Sequence, residues 1–232
     1  MSAPEAIHPN GAAVFGQVVA ARHATRAFLP QALPRGTIAR LAALACQAPS
    51  NCNTQPWRIA IASGACRDRL AAAIGAEMAA GRMAPDLPYD GRYEGVWRER
   101  QLGAAEALYG AAGIARDDKA ARTYQFMQNY AFFGAPHVAF FFLAPGFGTR
   151  EAADLGMCAQ TFMLALAAEG LASCPQTALS FHPDLVRAEF GIEQGWQLLF
   201  GVSFGHADPG APVNRARTGR SVDAFALAIK ED

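Results

Sequence analysis

The chain has 232 residues, 52% of them apolar, and its 20 basic and 20 acidic side chains cancel to a formal charge of zero. That balance leaves no basic excess for nucleic acid, and no apolar run reaches the ~18 residues of a membrane span. Charged residues make up only 17%, below the usual ~25%, so either a partner subunit covers part of the surface or the Ala-rich composition dilutes charge.

Residues 1–12 read as a flexible tail without the basic start and apolar run of a secretory signal, which points to a cytoplasmic protein. Residues 13–232 read as one domain. A helix is expected over Ala13 to Ala21. A second is opened by Pro34 and carries an apolar stripe through Ile38, Leu41 and Ala45 to about Gln47. Arg58 to Ala62 reads as a strand, ended by Gly64, and Asp68 to Gly81 as a helix. Met83 to Gly95 is rich in Pro, Gly, Asp and Tyr and reads as a mobile loop. Helices follow at Val96 to Ala112 and Asp118 to Ala131. His137 to Leu143 is apolar at every position after the first, the pattern of a strand covered on both faces. Glu151 to Glu169 is apolar nearly all round, a helix buried on every side, with Gly170 as its stop. A short helix is expected from His182-Pro183-Asp184 to Gly191, a strand over Gln197 to Phe204, and a final helix over Ser221 to Ile229. The order predicts an α+β sandwich, with helices flanking a mixed, mostly antiparallel sheet.

No strand is followed by a G-x-G-x-x-G and no P-loop occurs, which removes the usual dinucleotide and nucleotide signatures. Five cysteines, Cys46, Cys52, Cys66, Cys158 and Cys174, form no C-x-x-C pair. They read as reduced thiols, mostly small buried fillers, and no metal site is expected.

Two segments carry polar chemistry. Arg22-His23-Ala24-Thr25-Arg26 places two guanidinium groups four residues apart, able to converge on one phosphate through paired, charge-assisted hydrogen bonds. The same residues also fit a solvated basic helix end. Ala48-Pro49-Ser50-Asn51-Cys52-Asn53-Thr54-Gln55-Pro56-Trp57 concentrates amides that both donate and accept. Such a set suits the edge of a flat heterocycle, or an ordinary turn into the strand.

Taken together these runs resemble the nitroreductase family of FMN flavoproteins. A-P-S-x-x-N-x-Q-P-W is similar to the family's signature, and Arg22-His23-x-Thr25-Arg26-Ala27-Phe28 to its phosphate motif. Asp154-Leu155-Gly156-Met157-x-x-Gln160 through Gly170-Leu171-x-x-Cys174-Pro175-Gln176 resembles its central helix and following turn. Gly201 to His206 and Asn214 to Arg220 resemble its closing strand and C-terminal arginine segment. The likeness covers about residues 14 to 225.

The resemblance implies an interlocked homodimer with FMN at the subunit interface. Arg22, His23, Arg26, Arg220 and Arg217 would hold the phosphate, with Ala24 among them. Pro49, Ser50, Asn51, Asn53 and Gln55 would line the ring from the other subunit. Pro175, Gln176 and Thr177 would meet the ring near N5, the latter two through backbone groups. It further implies ping-pong hydride transfer through flavin N5, from NADPH or NADH to a nitroaromatic, quinone or similar flat small-molecule acceptor. No protein side chain is expected to be catalytic, because the flavin carries the chemistry. Alternatives within the fold are flavin fragmentation, reductive dehalogenation or a non-catalytic flavin-binding module. Acceptor contacts are expected from Tyr89, Tyr93, Tyr124 and Phe126, since aromatic walls suit flat acceptors. One departure is Ala24, where the family has Ser or Thr. One missing hydroxyl is worth about 1 kcal/mol, roughly fivefold in affinity, and shifts dependence onto Arg26.

Overall fold

The computed structural model describes residues 10–220 together with Leu227 and Lys230. The expected C-terminal helix falls almost wholly outside the described residues, as does most of the N-terminal tail. The elements run α1 (Gly11–Ala21), α2 (Arg35–Ala45), β1 (Trp57–Ser63), α3 (Gly64–Ala79), α4 (Gly95–Ala111), α5 (Lys119–Met127), β2 (His137–Leu143), α6 (Thr149–Ala168), β3 (Ala172–Gln176), α7 (Pro183–Phe190) and β4 (Gln197–Gly205). The fold is α+β.

The four strands lie in the order β1-β2-β4-β3, each antiparallel to its neighbours. The parallel element that makes the pairing mixed is a single bridge between Ala24 and Ser173 on the outer edge of β3. β2 is buried at all seven positions, and its alternation splits the core in two. Val138, Phe140 and Phe142 face a cluster with Leu70 and Ile74 of α3 and Val186 of α7. Ala139, Phe141 and Leu143 face Leu41 and Ala45 of α2 and Leu155 and Phe162 of α6. A strand with helices on both faces must be apolar at successive positions, and each buried Phe contributes about 1.5–3 kcal/mol.

Local chemistry sets the boundaries. Pro183 opens α7, Asp184 and Arg187 sit at the ends that favour their charges, and Gly191 closes it with φ of 60°, in agreement with helix-end rules. The Gly148 N–H donates to Glu151 at 3.0 Å at the start of α6.

Four expectations need correction. Ala172–Gln176 is an edge strand and not part of the expected turn; it is short and holds Pro175, a residue that demotes a strand prediction but is tolerated on an edge. α5 ends at Met127 rather than Ala131, and the chain continues in turns to Phe132 and Phe133, whose φ of 56° and 54° are left-handed. The Arg67 guanidinium holds that turn, donating to the carbonyls of Ala131 and Ala135. α6 is not buried on every side: Gly156, Met157 and Gln160 are exposed in the single chain. Of the cysteines only Cys158 and Cys174 are buried, while Cys46 and Cys52 are exposed.

Candidate active site

The segment after α1 runs along the outer edge of the sheet. The Thr25 N–H donates to the Ser173 carbonyl at 3.0 Å, and the Leu29 N–H to the His206 carbonyl at 2.9 Å. Thr25 is fully buried, so its hydroxyl does not substitute for the one missing at Ala24. Asn214 fastens this segment to the C-terminal one. Its Oδ1 accepts the N–H groups of Arg26 (2.8 Å) and Ala27 (3.0 Å), and its Nδ2 donates to the carbonyls of Ala27 (2.8 Å) and Asp208 (2.9 Å). One amide with all its capacity used on backbone fixes a register firmly.

The consequence is a cleft of about 620 Å³ whose lining includes Arg22, His23, Ala24, Arg26, Arg217 and Arg220, with Gln160 of α6 beside them and no carboxylate among the described residues. The Arg217 and Arg220 guanidiniums donate to nearby carbonyls of their own segment. Four guanidiniums concentrate positive charge at this cleft, and their fork geometry matches phosphate oxygens. The donor set therefore fits a phosphate-bearing cofactor. Asn214 and Gln160 stand in the motifs that carry the family resemblance but are not among the candidate site residues. Their signal is their place in those motifs, an Asn opening the C-terminal arginine segment and a Gln within an apolar helix.

The amide-rich segment lies elsewhere in the chain and does not line this cleft. It leaves α2 and forms a tight turn before β1. Cys52, Asn53 and Gln55 hold φ of 49°, 55° and 48°, a conformation costing roughly 1–2 kcal/mol per non-glycine residue. Three contacts hold it: Asp154 of α6 accepts the Asn51 N–H at 3.0 Å, Ser50 Oγ accepts the Gln55 N–H at 2.9 Å, and Thr54 Oγ1 donates to the Asn51 carbonyl at 2.9 Å. Pro49, Asn51, Asn53 and Gln55 are exposed. Gln55 Nε2 curls back to Asn53 Oδ1 at 3.2 Å.

Pro175 and Thr177 are exposed, whereas Gln176 is buried. The Gln176 amide donates to Asn129 Oδ1 (3.2 Å) and to the Asn129 carbonyl (2.9 Å), and accepts from Ser203 Oγ. Its side chain is thus committed to the fold. Tyr89 packs on Phe181 with ring centroids 5.5 Å apart. Burial raises the pKa of its phenol, helped by Tyr93. Tyr93, Tyr124 and Phe126 are exposed, the last edge-on to buried Tyr130.

A layered α+β sheet protein with this cationic cleft beside its edge strand is of a class suited to a phosphorylated ligand. Comparison with known proteins identifies that class more closely: residues 19–206 match the model of the nitroreductase family, and the chain belongs to it. It is similar to nitroreductase NfnB of Mycolicibacterium smegmatis, 46% identical over 206 residues that cover 88% of each protein. A 4-nitrobenzoate reductase of Pseudomonas putida is 35% identical over 90% of this chain and 92% of its own length. Among solved structures, the FMN-dependent nitroreductase NfnB from Mycobacterium smegmatis in complex with NADPH superposes with a TM-score of 0.90 at 44% identity, covering 95% of this chain and 99% of that one.

Proposed function

We propose that this protein is an FMN-dependent NAD(P)H oxidoreductase that reduces nitroaromatic and similar flat acceptors. The observation that carries the proposal is the arginine cleft, without a carboxylate among its described lining residues, in a chain 46% identical to a named nitroreductase. Bound FMN supplies reversible hydride chemistry; this chain's residues bind, orient and shield it. Arg22, Arg26, Arg217 and Arg220, with His23, hold the phosphate. Ala24 leaves one wall of that site without a hydroxyl. The backbone of Gln176 and Thr177, rather than the inward-turned Gln176 amide, meets the ring edge beside Pro175.

Pro49, Ser50, Asn51, Asn53 and Gln55 line the ring in a homodimer, contributed by the other subunit. Two features support that assembly: the amide segment lies apart from the arginine cleft of its own chain, and Val14 and Phe15 of α1 and Met157 of α6 lie exposed. Tyr89, Tyr93, Tyr124 and Phe126 wall the acceptor site. Cytoplasmic residence belongs to the same proposal, and five free cysteines suit a reducing compartment.

The test is a visible spectrum of the purified protein, then anaerobic NADPH or NADH, then 4-nitrobenzoate. Yellow protein that bleaches with the nicotinamide and recolours with the acceptor is the expected result. Colourless protein that ignores added FMN, or a yellow band that the donor leaves intact, would overturn it. Light scattering reads the dimer directly.

A further inference from the structure

The 83–94 segment between α3 and α4 holds two exposed tyrosines over a root that is clamped. Asp86 and Arg187 form a bidentate ion pair, Nη1 to Oδ2 at 2.8 Å and Nη2 to Oδ1 at 3.0 Å, with side chains only 16% and 7% exposed. Asp86 Oδ2 also accepts the Leu198 N–H at the start of β4, at 2.8 Å. Arg187 donates further to the Trp196 carbonyl at 2.7 Å and to Asp184 at 2.8 Å. Upstream, the Ala84 N–H donates to the Phe181 carbonyl at 3.0 Å. Downstream, the Tyr89 ring lies on Phe181, and Gly91, at φ +64°, turns the chain so closely that a Cβ there would stand 3.3 Å from that ring. The Asp90 carboxylate caps the turn by accepting the Arg92 N–H at 3.0 Å.

Phe181 stands four residues after Thr177, at the end of the turn that follows β3. One short stretch of chain therefore connects the ring-edge residues to the base of the tyrosine loop, and Arg187 ties both to the sheet. An exposed loop is ordinarily free to sample many conformations. Here a charge pair that would be costly to bury unpaired instead gives the loop one seat.

We infer that Asp86 and Arg187 are positioning residues for the acceptor, fixing Tyr89 and Tyr93 at the mouth of the site and so setting acceptor affinity without holding the cofactor. The inference rests on the reductase reading above. Neither residue touches the arginine cleft or the amide segment, so cofactor retention and acceptor affinity separate.

The test uses purified holoprotein carrying Asp86→Asn, which keeps an oxygen for the Leu198 N–H while removing the charge. The KM for 4-nitrobenzoate rises about tenfold with kcat little changed, the signature of lost positioning of bound substrate. FMN retention on dialysis stays at the parental level, and amide exchange accelerates over residues 84–93 but not in β2. Tyr89→Ala combined with Asp86→Asn gives less than the sum of the two single changes, because the pair acts in part through that ring. Phe181→Leu, which removes the ring contact and spares the ion pair, reproduces the KM effect and serves where the Asn variant fails to fold. A parental KM in both variants, or loss of FMN together with acceptor binding, overturns the inference. A wild-type protein that the nicotinamide donor cannot bleach defeats the reductase reading itself, which is a different result from a reducible protein whose loop variants are silent.

Discussion

Asp154 of the central helix accepts the backbone N–H of Asn51 at 3.0 Å, so the helix at the heart of one core layer sets the conformation of the amide-rich turn. The turn contains three left-handed non-glycine residues and would relax without a strong acceptor. Hydrogen bonds to a charged group contribute about 1.5–3 kcal/mol. Asp154→Ala should therefore weaken FMN binding about tenfold or more, read by titration of the apoprotein, whereas Asp154→Asn, which retains an acceptor, should lose less. Equal losses would mean that the carboxylate matters for its charge alone.

The phosphate assignment makes unequal demands on Arg26 and Cys52. Arg26 lines the cleft and its backbone is fixed by Asn214, while Cys52 is exposed on the distant turn. Arg26→Ala should lower FMN retention on dialysis severely, and Cys52→Ala should leave it within about twofold. Conversely Ala24→Ser restores a hydroxyl to the cleft wall and should tighten FMN by about fivefold, from a bond of roughly 1 kcal/mol. Riboflavin, which has no phosphate, should respond to none of the three.

Gly201 of β4 has no room for a side chain. A Cβ there would lie 2.6 Å from Leu179 Cδ1 and 3.0 Å from Leu179 Cβ, and Leu179 is itself completely buried. Overpacking of this kind costs about 1–3 kcal/mol, so Gly201→Ala should lower Tm by several degrees in a scanning-calorimetry trace. Leu179→Ala added to it should cost less than the sum of the two single changes, because the clash is between those two side chains.

Acidification should destabilise the protein from near pH 6.5 downward. His137 Nε2 accepts the Leu33 N–H at 2.8 Å, which places the ring proton on Nδ1 facing Ser63 Oγ at 2.6 Å. Burial lowers the pKa of His137 below the usual 6.5, and burial likewise lowers His182. Between the lowered values and 6.5 the unfolded chain binds more protons than the folded one, so stability rises with pH through that window and levels off above it. Urea midpoints at about pH 5.5 and about pH 7.5 should differ in that sense, and His137→Gln should flatten the difference. A midpoint equal or higher at the acid pH contradicts the assignment.

Much of this molecule is determined by sequence alone. The run His137 to Leu143 had to be a covered strand, because a strand apolar on successive residues can only sit between two layers. The helix ends at Gly170 and Gly191 follow from the one residue that takes a left-handed turn freely. The arginine pair and the amide run were legible as chemistry, since residue type fixes what a side chain can donate or accept. Tertiary structure alone decided the rest. Nothing local marks Ala172–Gln176 as a strand; pairing with β4 makes it one despite Pro175. Asp86 and Arg187 stand 101 positions apart, and Asn214 is 188 from Arg26. Short-range patterns report only which element forms, whereas a buried ion pair or an amide clamp exists only once the sheet brings distant segments within hydrogen-bond reach.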